Sequence, residues 1–202
     1  FLPVFVSKNA IDFDNPRSFC MSASTDWNME FRYQQHEAME KAKTVIEEVS
    51  KEFSEKFGRF YGGLVEEYKC DDAEIVLVAV GSVAGTIKLV VDKLRNEGKK
   101  VGLVKLRFYR PFPKEYFKEL GKRVKCIGVI DRDLSFGYEG AIGSDVKAAL
   151  YSATSPKLIN FIIGIAGRDI KKEDIEGMYN KLINYADGES EKEFQFIGLR
   201  WE

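Results

Sequence analysis

The stretch "EIVLVAVGSVAGT", Glu74 to Thr86, decides the fold. After Glu74 come six consecutive apolar residues, most of them β-branched. A run with no polar alternation reads as a strand buried on both faces. Gly81 and Ser82 break it, and Ile87, Val90, Val91 and Leu94 follow at helical spacing up to Gly98. The rhythm then repeats. "VGLVKL" (Val101–Leu106) is a second strand, and a short helix after Pro113 carries Tyr116, Phe117 and Leu120, closed by Gly121. "VKCIGVI" (Val124–Ile130) and "KLINFII" (Lys157–Ile163) are further strands; Ile142, Val146, Ala149 and Leu150 mark one helix, and Ile175, Met178, Tyr179, Leu182 and Ile183 another. Apolar strands alternating with helices predict an α/β fold: a three-layer α/β/α sandwich with a mostly parallel sheet and right-handed crossovers.

Outside this core the pattern changes. Residues 1–33 show no sustained period and are rich in turn signals, such as "DFDNPRS" and "SASTDWN". From Gln34 to Phe57, Met39, Ala42, Val45, Ile46, Val49, Phe53 and Phe57 recur every three or four residues, which predicts a helix ended by Gly58. The stripe is expected to pack on its own domain; an oligomer contact is the alternative. The resulting division is a lead-in with a long helix over 1–71, an α/β domain over 72–170, and a helix with a docked tail over 171–202.

Of the 202 residues, 45% are apolar and 31% charged, enough for a real core. A net charge of −1 gives no electrostatic pull toward nucleic acid, and no run approaches the ~20 apolar residues that span a bilayer. The start at Phe1 reads as an interior cut in a longer protein. Cys20, Cys70 and Cys126 are scattered with no CxxC, which argues against a chain-borne iron–sulfur or zinc site and suits a reducing cytoplasm.

In such a sheet the loops at the carboxyl ends of the strands line the ligand crevice. Gly81 and Ser82 open "GSVAGT", whose amides could cradle a phosphate, yet its spacing matches neither GxGxxG nor the P-loop. A tight turn with Ser82 as helix cap is the plainer reading. Asp131 and Asp133 could supply acid–base carboxylates, or simply pair with Arg132. Arg107 and Arg110 could clamp a carboxylate, or anchor the Pro111–Phe112–Pro113 turn. His36, the sole histidine, lies off the apolar stripe and reads as solvated. No nucleophile–base pair is visible, so no catalytic residue is assigned.

Taken together, "FGRFYG" (Phe57–Gly62), "DAEIVLVAVGSVAGT" (Asp72–Thr86), "VDKLRNEGKKVGLVKLRFYRPFP" (Val91–Pro113), "VIDRDLSFGYEGA" (Val129–Ala141) and "FIIGIAGRDI" (Phe161–Ile170) resemble the C-terminal part of the alpha subunit of pyruvate:ferredoxin oxidoreductase. "FLP" at the start and "FIGLRW" near the end also fit. The resemblance implies a domain like the C-terminal domain of transketolase, with an antiparallel edge strand for which "FQFIGLRW" is the candidate. It implies a complex that oxidatively decarboxylates pyruvate or another 2-oxoacid with thiamine diphosphate, magnesium and iron–sulfur clusters, forming an acyl-coenzyme A and reducing ferredoxin. The expected partners are the N-terminal domain of the same subunit and beta, gamma and delta-type subunits, with ferredoxin reached indirectly. No cofactor is expected in this stretch, which would be a non-catalytic, assembly part of the enzyme. Gly81, Ser82, Arg107, Arg110, Phe112, Asp131, Arg132 and Arg168 are its expected crevice or boundary residues. The alternatives are an independent nucleotide- or phosphate-binding module and the C-terminal domain of another thiamine-dependent enzyme.

Overall fold

The computed structural model describes residues 2–7, 9–19, 22–151 and 156–201. Cys20 lies outside the described residues. Two compact units separate at Ala38/Met39. In the first, an irregular stretch leads into the start of a helix, α1 (Thr25–Phe57). That helix begins nine residues before the expected Gln34, because mixed polarity over Thr25–Tyr33 hides its period.

The second unit is built on one six-stranded sheet. Its strands are β1 (Val65–Tyr68), β2 (Ile75–Val80), β3 (Val101–Leu106), β4 (Cys126–Asp131), β5 (Lys157–Ile162) and β6 (Phe194–Phe196), in the order β1-β3-β2-β4-β5-β6. Between them run α2 (Val83–Asn96), α3 (Lys114–Arg123), α4 (Ala141–Leu150) and α5 (Lys172–Ala186). Strands β2 to β6 pair in parallel, and β1 alone runs antiparallel, on β3. The antiparallel edge is therefore "VEEY", not the C-terminal "FQF", which extends the parallel sheet. The helix α3 also continues past Gly121, which is buried inside it.

Burial explains why the strands lack alternation. Along β2, Ile75, Leu77 and Ala79 face a cluster closed by α2 and α5, while Val76 and Val78 face one closed by α3 and α4. Both faces are covered, so every position is apolar. Burying each such side chain contributes roughly 1.5–3 kcal/mol. The expectation of a single crossover hand fails at the last connection. Going from β3 to β4 and from β4 to β5 the chain crosses the α3/α4 face; going on in the same direction to β6, it crosses the α2 face instead. That connection has the opposite hand to the other three. The apolar side chains Ile175, Met178, Tyr179 and Leu182 cover sheet that α2 alone would leave bare, and the buried Tyr179 hydroxyl donates to the Gly102 carbonyl at 2.8 Å.

The stripe of α1 packs only in part: Ala42, Ile46 and Phe53 are half-buried, while Met39, Val45, Val49 and Phe57 are exposed. None of the helix's described residues is buried.

Candidate functional site

The strand order reverses between β2 and β4, and a ligand crevice is expected outside their carboxyl ends. A cavity of about 330 Å³ opens there, walled by Val80, Val83, Tyr109, Ile130 and Ile142, with Arg132 and Asp133 at its edge. Of the candidate site residues singled out in the sequence, Arg132 and Asp133 line it. For Arg132 the partner is backbone: its Nε and Nη2 both donate to the Gly164 carbonyl, at 3.2 and 3.1 Å, which ties the loop after β4 to the loop after β5.

Asp131 lies just beneath, wholly buried, at the end of β4. Its Oδ1 accepts the Ile142 amide at 3.0 Å, and its Oδ2 accepts the Gly143 amide and Asn160 Nδ2, both at 2.8 Å. Asn160 in turn accepts the Gly140 amide through Oδ1 at 2.9 Å. The carboxylate thus sits on the first amides of α4, where a helix attracts an anion. A Cβ at Gly140 would fall 2.3 Å from the Asp131 Cγ, and one at Gly143 would fall 2.5 Å from the Asn160 Cγ. The two glycines let helix and strand approach this closely. Burial raises the Asp131 pKa, opposed by the Gly143 and Ile142 amides and Asn160, and a hydrogen bond with the Asp133 carboxyl adds to the rise. All its oxygens are engaged, so it anchors α4 rather than presenting an acid to the crevice.

The turn at α2 differs. Gly81 has φ +76°, and a Cβ there would meet nothing within 4 Å. Ser82 makes no side-chain cap bond, so its expected capping role is not seen.

The loop after β3 is tied into its own chain. Arg107 Nη1 donates to the Gly62 carbonyl and, at 3.1 Å, to that of Gly63, holding the strand that leads into β1. Arg110 Nη2 donates to Asp145 Oδ2 at 2.7 Å, an oxygen that also accepts the Tyr109 hydroxyl at 2.6 Å. The Arg110 guanidinium lies 4.2 Å from the Tyr109 ring centre, and the Phe112 ring stacks on Phe117 at 5.3 Å. The Arg110–Pro111 peptide is cis. Arg168 Nη1 donates to the Gly198 carbonyl at 2.5 Å, away from the cavity wall. Both Tyr109 and Ile142 were missed as wall residues; their apolar surfaces carry no sequence mark beyond position after a strand.

Among the described residues no group of three or more His, Cys, Asp or Glu could hold a metal ion. Cys70 and Cys126 belong to clusters on opposite faces of the sheet, and burial pushes their thiols up to about 11 and about 12. They do not fit an iron–sulfur cluster. Nor does the crevice fit a diphosphate with its metal, since its walls are mostly apolar, the Arg132 guanidinium is held by the Gly164 carbonyl, and the α4 amides are already taken by Asp131.

The model of the pyruvate:ferredoxin oxidoreductase core domain II matches residues 73–175. The chain is 41% identical over 202 residues to pyruvate synthase subunit PorA of Methanothermobacter thermautotrophicus, covering all of this chain and 50% of that one. It is 40% identical over 191 residues to ketoisovalerate oxidoreductase subunit VorA of Pyrococcus horikoshii, covering 94% of this chain and 48% of that one. The chain therefore spans about half the length of these relatives. A solved split-gene transketolase in an inactive beta4 tetramer aligns with 56% of this chain and 39% of its own, at a TM-score of 0.46 and 16% identity. No described helix is long and apolar enough to cross a membrane. The chain belongs to the pyruvate:ferredoxin oxidoreductase core domain II family.

Proposed function

We propose that this chain is the non-catalytic, structural part of the alpha subunit of a 2-oxoacid:ferredoxin oxidoreductase, with pyruvate as the first substrate to test. The observation that carries it is the internal commitment of the polar groups around the crevice. Asp131 is bound by α4, Arg132 by Gly164, and Tyr109 and Arg110 by Asp145. Asp133, the other charged wall residue, shares a hydrogen bond with the Asp131 carboxyl. Catalysis needs polar groups that converge on a reacting atom; these converge on the protein. Thiamine diphosphate, magnesium, the iron–sulfur clusters and coenzyme A then belong to other parts of the complex. Those parts are the N-terminal domain of the subunit and its beta, gamma and delta-type partners.

A ligand that binds the folded state alone, at free concentration L, stabilises it by RT ln(1 + L/Kd), so the thermal midpoint rises with its concentration. The test is a thermal-shift series with thiamine diphosphate and magnesium, coenzyme A, ATP and NAD. The expected result is an unchanged midpoint with each. A dose-dependent rise with any one overturns the structural reading and makes the crevice a binding site.

A further inference from the structure

The second half of α1 carries Val45, Ile46, Val49 and Phe53 along one wall of a hollow of about 370 Å³, with Tyr61 and Phe108 among the residues opposite. Val45 and Val49 are 54% and 48% exposed. A helix in a folded protein owes most of its stability to packing of an apolar face, and here, among the described residues, Val45 and Val49 of that face stand open. The walls are nonetheless fixed. Glu47 Oε1 accepts the Leu64 amide at 3.0 Å, Phe53 lies 4.6 Å from Phe57 and 6.2 Å from Tyr61, and Arg107 holds the Gly63 carbonyl. The groove is preformed, and its one charged wall residue is already paired with backbone.

Resting on the reading that this chain is part of a subunit about twice its length, we propose that the groove seats an amphipathic helix from the rest of the same subunit. A rigid apolar groove beside a helix takes apolar side chains at i, i+3 or i+4, and i+7. Its size favours a tethered occupant over a free one. The hollow of about 370 Å³ is lined by nine residues, against the roughly 20–30 a side of a specific interface between separate proteins. Contacts between domains of one chain are smaller, and a tether supplies an effective concentration on the order of millimolar. The relatives show the length available: PorA and VorA have about as much chain again outside the matched part.

The test is photo-crosslinking in the full-length subunit within its assembled complex. A benzophenone amino acid is placed at Val49, and in a second variant at Val45. The expected product from both sites is an intrachain crosslink to a helical peptide outside the 202 residues described here. A crosslink to another subunit or to a second copy overturns the proposal, as does recovery of neither. Ferredoxin reduction is assayed in the same samples. An active complex without the intrachain crosslink defeats the docking alone. A complex inactive on every 2-oxoacid defeats the reading beneath it.

Discussion

Replacing Asp131 with alanine should unlatch α4 from the sheet. The carboxylate accepts three donors, at 3.0, 2.8 and 2.8 Å. Asn160 Nδ2 keeps a second acceptor, the Val129 carbonyl at 3.2 Å, so its loss is partial. The Gly143 amide loses its acceptor in a buried setting and the Ile142 amide in a half-buried one. An unsatisfied buried donor costs about 1–3 kcal/mol, and the upper end of the range applies to Gly143 alone, which for the two amides gives about 2–4 kcal/mol. Removing a carboxylate that burial disfavours returns part of that, leaving a loss of about 1–3 kcal/mol. A typical domain has about 5–15 kcal/mol in all. Urea denaturation read by circular dichroism gives the midpoint and slope, and amide exchange gives the local effect. The expected result is a lower midpoint at unchanged slope, with faster exchange at Ile142 and Gly143. A loss under about 1 kcal/mol with unaltered exchange in α4 would refute the anchoring argument.

The pH dependence of Asp131 has a definite sign. Burial raises its folded pKa above the ordinary carboxylate value, so its contribution is fully present below the unfolded value, about 3.9. It is lost as pH rises through the folded value. Asp131→Asn removes that titration, and the stability difference between wild type and variant should shrink or reverse as pH rises from 4 toward 7 in paired urea titrations. A Cβ at Gly128 would meet Leu77 Cδ2 at 2.5 Å and Leu182 Cδ1 at 2.7 Å; Gly128→Ala should cost about 1–3 kcal/mol by overpacking, seen as a lower thermal midpoint. Gly81→Ala faces open space but keeps φ +76°, so only the backbone objects, and about 1 kcal/mol is expected. Arg110→Ala loses a half-exposed ion pair and a ring contact. The expected loss is about 1 kcal/mol, and in the assembled enzyme the 2-oxoacid KM should not move; a raised KM with normal stability would place Arg110 at the substrate.

The parallel core was legible because two-sided burial leaves a plain mark: Ile75–Val80 and Cys126–Ile130 have no polar residue to alternate with. The edge strand β1 was not. Its Glu66 and Glu67 reach across to Lys88 and to Tyr116 and Arg123, partners from later elements that no local period records. The crevice loops followed from strand ends alone, but what fills them did not. Asp131 reads as an acid in sequence because its partners stand 11, 12 and 29 residues on. Two of those three partners are backbone or glycine amides, which sequence cannot distinguish. The glycines at 140 and 143 were the available clue, since both are required only if something approaches closely. The fate of the α1 stripe was unreadable, because periodicity marks a face without saying what covers it.

The odd-handed last crossover bears on the order in which the molecule assembles. Strands β2 to β5 and helices α2 to α4 join neighbours soon after each is added, and such local contacts form early. Helix α5 must instead settle across β2 and β4 before the chain can turn back to the far edge, where β6 offers three residues to β5. That short seam is expected to close last. It is the shortest pairing in the sheet, three residues against four to six elsewhere, so its amides should trade protons with solvent by local opening while the central strands wait for global unfolding. The sheet thus has a firm middle and one edge whose closure reports that α5 has already arrived.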